Sequence, residues 1–260
     1  MSAFRFNFAA CSEEEDKQTA DDTVDASCQT GGDTNQGAPA AVEVEWIPVT
    51  QIKDVTNASE TVADYNFGCY CLQTVSATSV EKQLLQEKSK WTDVVVSAVS
   101  SHSDLVAGQY EGGLKIWECS VDLCHYMADS DVLGAGSRVL ELGCGGALPG
   151  ILAAKMGASS VHFQDFNKEV LELYTMPNIH LNNLDRSTCT FFSGDWGSFV
   201  SLALHRKHVY DVILTSETIY SVASYPKLHN VFTSLLASSG TVYPYPESEF
   251  EDTVVKQRSL

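Results

Sequence analysis

The chain has 260 residues, 44% of them hydrophobic, which is enough for one substantial core with a small appendage. Its 16 Lys+Arg stand against 34 Asp+Glu, a formal net charge of -18. That balance excludes the basic footprint needed to bind DNA, RNA or acidic membrane surfaces, and it favours basic partners.

The opening MSAFRFNFAACSEEED has no basic start followed by an apolar core, so no signal peptide is expected. No stretch approaches the ~20 apolar residues of a membrane span. An intracellular, cytoplasmic and reducing setting follows, with the 8 cysteines as free thiols. Cys69 and Cys71 form a CxC pair, but no second pair stands at zinc spacing, and no metal is expected. Phe4 to Phe8, FRFNF, alternates apolar and polar residues, as an edge strand or a partner-binding peptide would. Residues 11–45 are acidic and nearly free of large apolar groups, so the tail 1–45 is expected to be disordered apart from that motif.

An N-terminal extension is expected over 46–96, where VEKQLLQEKSKWTDVVVSAVS mixes helical and strand-like patterns. A core is expected over 97–243. Within it, LKIWECSVDLCHYMA (114–128) spaces Leu114, Trp117, Val121 and Cys124 as one face of an amphipathic helix. Strands are predicted at RVLEL (138–142), VHFQD (161–165), CTFFS (189–193) and YDVILTS (210–216). Helices are predicted from near Leu148, Lys168, Ser198 and Tyr225. This alternation indicates right-handed βαβ units and a mostly parallel sheet, a Rossmann-like α/β fold.

Ligands of such sheets sit at the carboxyl ends of the strands. The stretch LELGCGGALPG (140–150) lies there, with Gly143 and Gly145 letting the backbone approach a ligand. The dinucleotide pattern G-x-G-x-x-G fails, because its last position is Leu148. Glu141 would face a pyrophosphate unfavourably but suits a cationic, hydroxyl-rich ligand, and S-adenosylmethionine carries a sulfonium, an ammonium and a ribose. Asp165 ends the next strand at the spacing of a ribose-binding carboxylate. Asp195 is expected to accept from an adenine amino group, with Trp196 stacked on the purine or closing the pocket. Ser216, Glu217 and Tyr220 come to the same rim, where Glu217 orients or deprotonates an acceptor or simply caps the next segment.

SSHSDLVAGQYEGGLKIWECSVDL (100–123), VLELGCGGALPGI, VHFQDFN, FFSGDW and YDVILTSETIY together resemble the class I S-adenosylmethionine-dependent methyltransferases. More narrowly, with FRFNF, they are similar to the methyltransferase-like protein-histidine N-methyltransferases. The resemblance implies methyl transfer to the τ nitrogen of a histidine in a large-subunit ribosomal protein, a basic partner that suits an acidic chain. A monomer is expected, and the charge balance argues against direct nucleic acid or membrane contact. Carried over by motif, the cofactor would touch Ile116, Trp117, Glu118, Cys119 and Ser120 on the helix before the first strand. Gly143, Gln164, Asp165, Phe166, Gly194, Asp195, Trp196 and Ser216 complete the implied set. Neutral imidazole, with an unperturbed pKa of about 6.5, is already nucleophilic at neutral pH, so the chemistry is mainly positioning, with Glu217 or Tyr220 setting the tautomer.

The sequence departs from the family after YPKLHNVFTSLLASSG, where an apolar strand is due and TVYPYPESEFEDTVVKQRSL stands, a divergent tail over 244–260. Pro244 and Pro246 each remove a ladder donor. The sheet is therefore expected to be incomplete at its C-terminal strands, leaving YDVILTS at an exposed edge. The family's basic nuclear-targeting cluster is not visible between Asp185 and Phe191, so cytoplasmic location is expected, with nuclear or nucleolar presence open. Rival readings are a lysine methyltransferase of the same class and a truncated, non-catalytic cofactor binder.

Overall fold

The computed structural model describes residues 44–47 and 62–245. FRFNF and nearly all of the acidic tail lie outside the described residues. Glu45, assigned to that tail, belongs to a strand instead, β1 (Glu45–Ile47).

The main sheet runs β1, β6 (Cys189–Ser193), β5 (Ser160–Asp165), β4 (Arg138–Leu142), β7 (Tyr210–Ser216), β8 (Leu236–Tyr245). Every pair is parallel except β1 with β6. Strands step outward from β4 to β6 and then return to its other side as β7, so the order reverses at β4, where such sheets bind ligands.

Side-chain alternation sorts the core into layers. From β4, Leu140 and Leu142 join Phe199, Leu228 and Val231 of α7 (Trp196–His205) and α8 (Tyr225–Leu235). Val139 faces the opposite layer, with Leu123 and Met127 of α3 (Glu118–Asp129) and Ile151 and Leu152 of α4 (Leu148–Lys155). A third cluster joins α1 (Ala77–Gln86) and α2 (Asp93–Ser100) to Val170, Leu173 and Tyr174.

The segment starting at Lys168 is three pieces: α5 (Lys168–Val170), a π-helical turn Leu171–Thr175, and α6 (Met176–Leu181). Against α6 lies a separate hairpin, β2 (Val62–Phe67) with β3 (Tyr70–Val75). Asn178 of α6 accepts from Val75 N at 2.8 Å and donates to Gly146 O at 2.9 Å. Asn182 makes a reciprocal pair with the Gln73 backbone, 3.0 and 2.7 Å.

Two expectations are corrected. The helix placed at 114–128 begins only at Glu118. Trp117 is extended, its indole Nε1 donating to Gly112 O at 3.0 Å, so Leu114 and Ile116 belong to a loop despite their helical spacing. The strand expected to be lost is also present: β8 pairs with β7, placing Val242 beside Ile213 and Pro244 beside Thr215. β7 is therefore covered. At the edge of a sheet a proline's missing N–H faces outward and costs no ladder bond, which is why Pro244 is tolerated.

Candidate functional site

A cavity of about 710 Å³ opens at the carboxyl ends of the parallel strands. Each strand contributes through the loop that follows it: the glycine turn after β4, Asp165 and Phe166 after β5, Asp195 and Trp196 after β6, and Ser216 to Thr218 after β7. The segment before α3 adds Glu111, Lys115, Ile116 and Trp117 to the wall, and α3 itself adds Ser120.

The turn is held tightly. Gly145 has φ +48°, and a Cβ there would lie 3.1 Å from Gly113 O. Its N–H donates to Asp165 Oδ2 at 3.0 Å, and its carbonyl accepts from Thr175 Oγ1 at 2.6 Å. Asp165 Oδ1 takes Asn167 N at 3.2 Å. Burial pushes the Asp165 carboxyl up to about 6, against the lowering pull of these N–H donors. At pH 7 it is mostly ionised, and it lines the cavity at the end of β5, where a ribose-binding carboxylate stands in such sheets.

Asp195 also lines the cavity, but its carboxylate is already occupied. Oδ1 caps α7 through Gly197 N at 2.8 Å, and Oδ2 pairs with Lys227 Nζ at 2.5 Å. Trp196 is fixed as a wall, because its Nε1 donates to Gln164 Oε1 at 2.9 Å while Gln164 Nε2 donates to Gly194 O at 2.8 Å.

Ile116, Trp117, Ser120, Gly143, Gly145, Asp165, Phe166, Asp195, Trp196, Ser216, Glu217 and Tyr220 thus come together as expected. Five expected residues do not line the cavity: Glu118, Cys119, Glu141, Gln164 and Gly194. Glu118 is exposed on the first turn of α3, and Cys119 is buried in that helix. Gln164 and Gly194 act behind the wall, holding Trp196.

Glu141 is the clearest correction. Its side chain points into the core under α4, where Oε2 accepts from Gly150 N at 2.9 Å. Burial raises its carboxyl well above the usual range. A group raised in this way contributes stability fully below its unfolded pKa and loses it as pH rises through the folded value. Glu141→Gln, which retains an acceptor for Gly150, is expected to leave cofactor affinity unchanged in calorimetry. The same variant should flatten the fall in melting temperature as pH rises above the ordinary glutamate value.

The rim holds what the sequence reading missed. Tyr220 Oη donates to Glu111 Oε2, and Glu111 Oε1 accepts from Gly108 N at 2.6 Å. Lys115 Nζ pairs with Asp104 and sits 3.9 Å from the Trp117 ring centre. Gly113 is packed so closely that a Cβ would lie 2.8 Å from Val170 Cγ2. The only available signal was the adjacent glycine pair in YEGG, a cue for close backbone approach. After β7, Glu217 has φ +55°, a left-handed conformation that costs an ordinary residue about 1 kcal/mol or more and clusters at functional sites.

Four carboxylates, Glu111, Asp165, Asp195 and Glu217, line the cavity against Lys115 and Lys227. Each lysine is neutralised by its own aspartate, Asp104 or Asp195. The field therefore favours a cation, while Trp117, Phe166 and Trp196 offer aromatic surface for a purine. This donor set fits S-adenosylmethionine: an ionised acceptor for the ribose, acids for the sulfonium and ammonium, and a volume within the usual range of cofactor pockets.

Comparison with known proteins agrees. A family model described as lysine methyltransferase matches residues 78–252. A histidine protein methyltransferase 1 homolog of Bos taurus is 42% identical over 66% of this chain and 53% of its own length. Its counterpart in Dictyostelium discoideum is 44% identical over 54% of this chain and 45% of its own. Protein N-lysine methyltransferase METTL21A of Xenopus tropicalis is 29% identical over 49% of this chain and 57% of its own. The chain spans about half the length of the curated relatives it matches. By the extent of the family match and the cavity behind it, the chain belongs to this S-adenosylmethionine-dependent methyltransferase family.

Proposed function

We propose that the protein methylates histidine in a protein substrate, at the τ nitrogen of a histidine in a large-subunit ribosomal protein. The observation that carries this reading is the higher identity to histidine protein methyltransferases, 42% and 44%, than to the lysine enzyme at 29%. The chemistry of the acceptor is consistent with it: an imidazole, with an unperturbed pKa of about 6.5, is nucleophilic near neutral pH, whereas a lysine ammonium must first lose its proton.

S-adenosylmethionine, when bound, supplies an electrophilic methyl group on sulfonium. Asp165 holds its ribose, and Trp117, Phe166 and Trp196 wall its base. Ser216 and Glu217 stand at the end of β7, and Tyr220 at the mouth. The task of the rim residues is orientation: one ring nitrogen must face the methyl carbon while the other is held by a hydrogen bond that selects the tautomer. The acidic chain suits a basic ribosomal partner. We take the enzyme to act as a monomer in the cytoplasm, with nuclear or nucleolar presence, and without contacting nucleic acid or membrane directly. Among the described residues no helix is long and apolar enough to cross a membrane.

The test is transfer of labelled methyl to ribosomal proteins, followed by hydrolysis and amino-acid analysis. Label in τ-methylhistidine is the expected outcome. Label in methyllysine supports the lysine reading, which the description of the family model favours. Cofactor binding with no transfer to any protein overturns both and leaves a binder.

A further inference from the structure

Methylating neutral imidazole creates a charged ring that still carries a proton on its second nitrogen. The reading above requires a place for that charge, and the rim of the cavity contains one. Tyr220 is 48% exposed at the mouth, and its hydroxyl proton is committed to Glu111 Oε2. The second oxygen of Glu111 is anchored by Gly108 N at 2.6 Å, so the carboxylate is fixed at both ends. A phenol that has donated its proton in this way presents only lone pairs to an incoming group, so it accepts from a ring N–H. Leu105, 50% exposed, and Val222, 75% exposed, flank Tyr220 around the cavity and offer apolar contact to a substrate's neighbouring side chains.

We infer that Tyr220 and Glu111 form a phenol–carboxylate relay that selects the reacting tautomer and takes the proton from the methylated imidazole. The inference rests on the histidine reading proposed above. As the ring nitrogen bonds to the methyl carbon, the carbon–sulfur bond breaks and its electron pair stays on sulfur. The ring's remaining N–H proton passes to the Tyr220 oxygen as the phenol proton passes to Glu111 Oε2. Glu111, at the cavity mouth, returns the proton to water. No group is oxidised or reduced. Tyr220 touches the substrate, and Glu111 acts through it as a positioning residue and proton acceptor. The other titratable groups lining the cavity are Lys115, Asp165, Asp195, Glu217 and Lys227, with Asp104 paired to Lys115, and of these Asp165 acts on Tyr220.

The test has two arms. In the first, Tyr220→Phe and Glu111→Gln are each expected to lower kcat for histidine transfer about a hundredfold at saturating S-adenosylmethionine. The double variant should be no slower than either single one, because a relay acts as a unit. In the second arm, tyrosine ring carbons are labelled in the protein without cofactor. The Tyr220 resonance, identified by its loss in Tyr220→Phe, should shift in Glu111→Gln, where the phenol loses its charged acceptor. Melting curves like those of the parent exclude simple damage. Single-variant losses that multiply, a Glu111→Gln kcat equal to the parent's, or a Tyr220 signal indifferent to Glu111 would overturn the relay alone. A parent protein that forms no methylhistidine overturns the functional reading and the relay with it.

Discussion

Asp165→Asn is expected to weaken S-adenosylmethionine binding by about a hundredfold, read by calorimetry at neutral pH. The carboxylate supplies acceptors for the ribose hydroxyls, and hydrogen bonds to a charged group contribute about 1.5–3 kcal/mol each. The same change should move the melting temperature of the cofactor-free protein little at pH 7, because loss of the buried charge offsets the one acceptor withdrawn from Gly145 N or Asn167 N. The reason is the sign of the pKa shift. Burial lifts Asp165 to about 6, so its contribution to stability is full only below the ordinary aspartate value and is lost as pH rises through about 6. At neutral pH the folded protein therefore carries a buried charge that asparagine removes. A large loss of affinity with little change in melting separates a ligand-holding residue from a structural one. A variant that loses affinity and stability together would refute the assignment. In the parent protein, affinity should also fall as pH drops below about 6, where the acceptor becomes protonated.

The second large effect concerns β8. Val242 is 3% exposed and packs in the layer containing Phe199, Ile213 and Leu228. Val242→Asp places an unpaired charge in that layer and is expected to cost about 3–5 kcal/mol, a large share of the ~5–15 kcal/mol of a typical domain. Melting should occur roughly 10 °C lower or more, with cofactor binding lost alongside the fold. Val242→Ile, which keeps the branched apolar shape, should melt near the parent. If Val242→Asp melts like the parent, β8 does not complete this sheet.

The two experiments probe regions that differ in how readily the sequence revealed them. β4, β6 and β7 have the limits read from RVLEL, CTFFS and YDVILTS, because apolar runs bounded by glycine, aspartate or serine are local signals. The glycine turn, Asp165 and Trp196 were legible for the same reason: a strand's carboxyl end is marked by the residues next to it. What failed was longer in range. Glu141 read as a ligand-facing acid because charge is visible in a sequence, while the Gly150 N–H beneath it is not. Leu114 to Trp117 have helical spacing, but they form a turn and loop in which Trp117 is extended and bonded to Gly112 O. Pro244 argued against a strand until the sheet order put that strand at an edge, where its missing donor is not needed. Glu111 meets Tyr220 across a separation of 109 residues, and no local pattern announces such a pair.

Asn178 has one consequence that follows from its two bonds. A single amide spans the carbonyl of Gly146 in the cofactor turn and the N–H of Val75 in the hairpin. The hairpin is therefore a brace for the turn rather than an ornament on the surface. Whatever loosens the β2–β3 unit withdraws support from the glycine backbone, and whatever settles into the turn tightens the unit by the same free energy, since coupling between two sites is reciprocal. A contact that pulled on the hairpin from outside would thereby tune cofactor affinity without ever reaching the pocket.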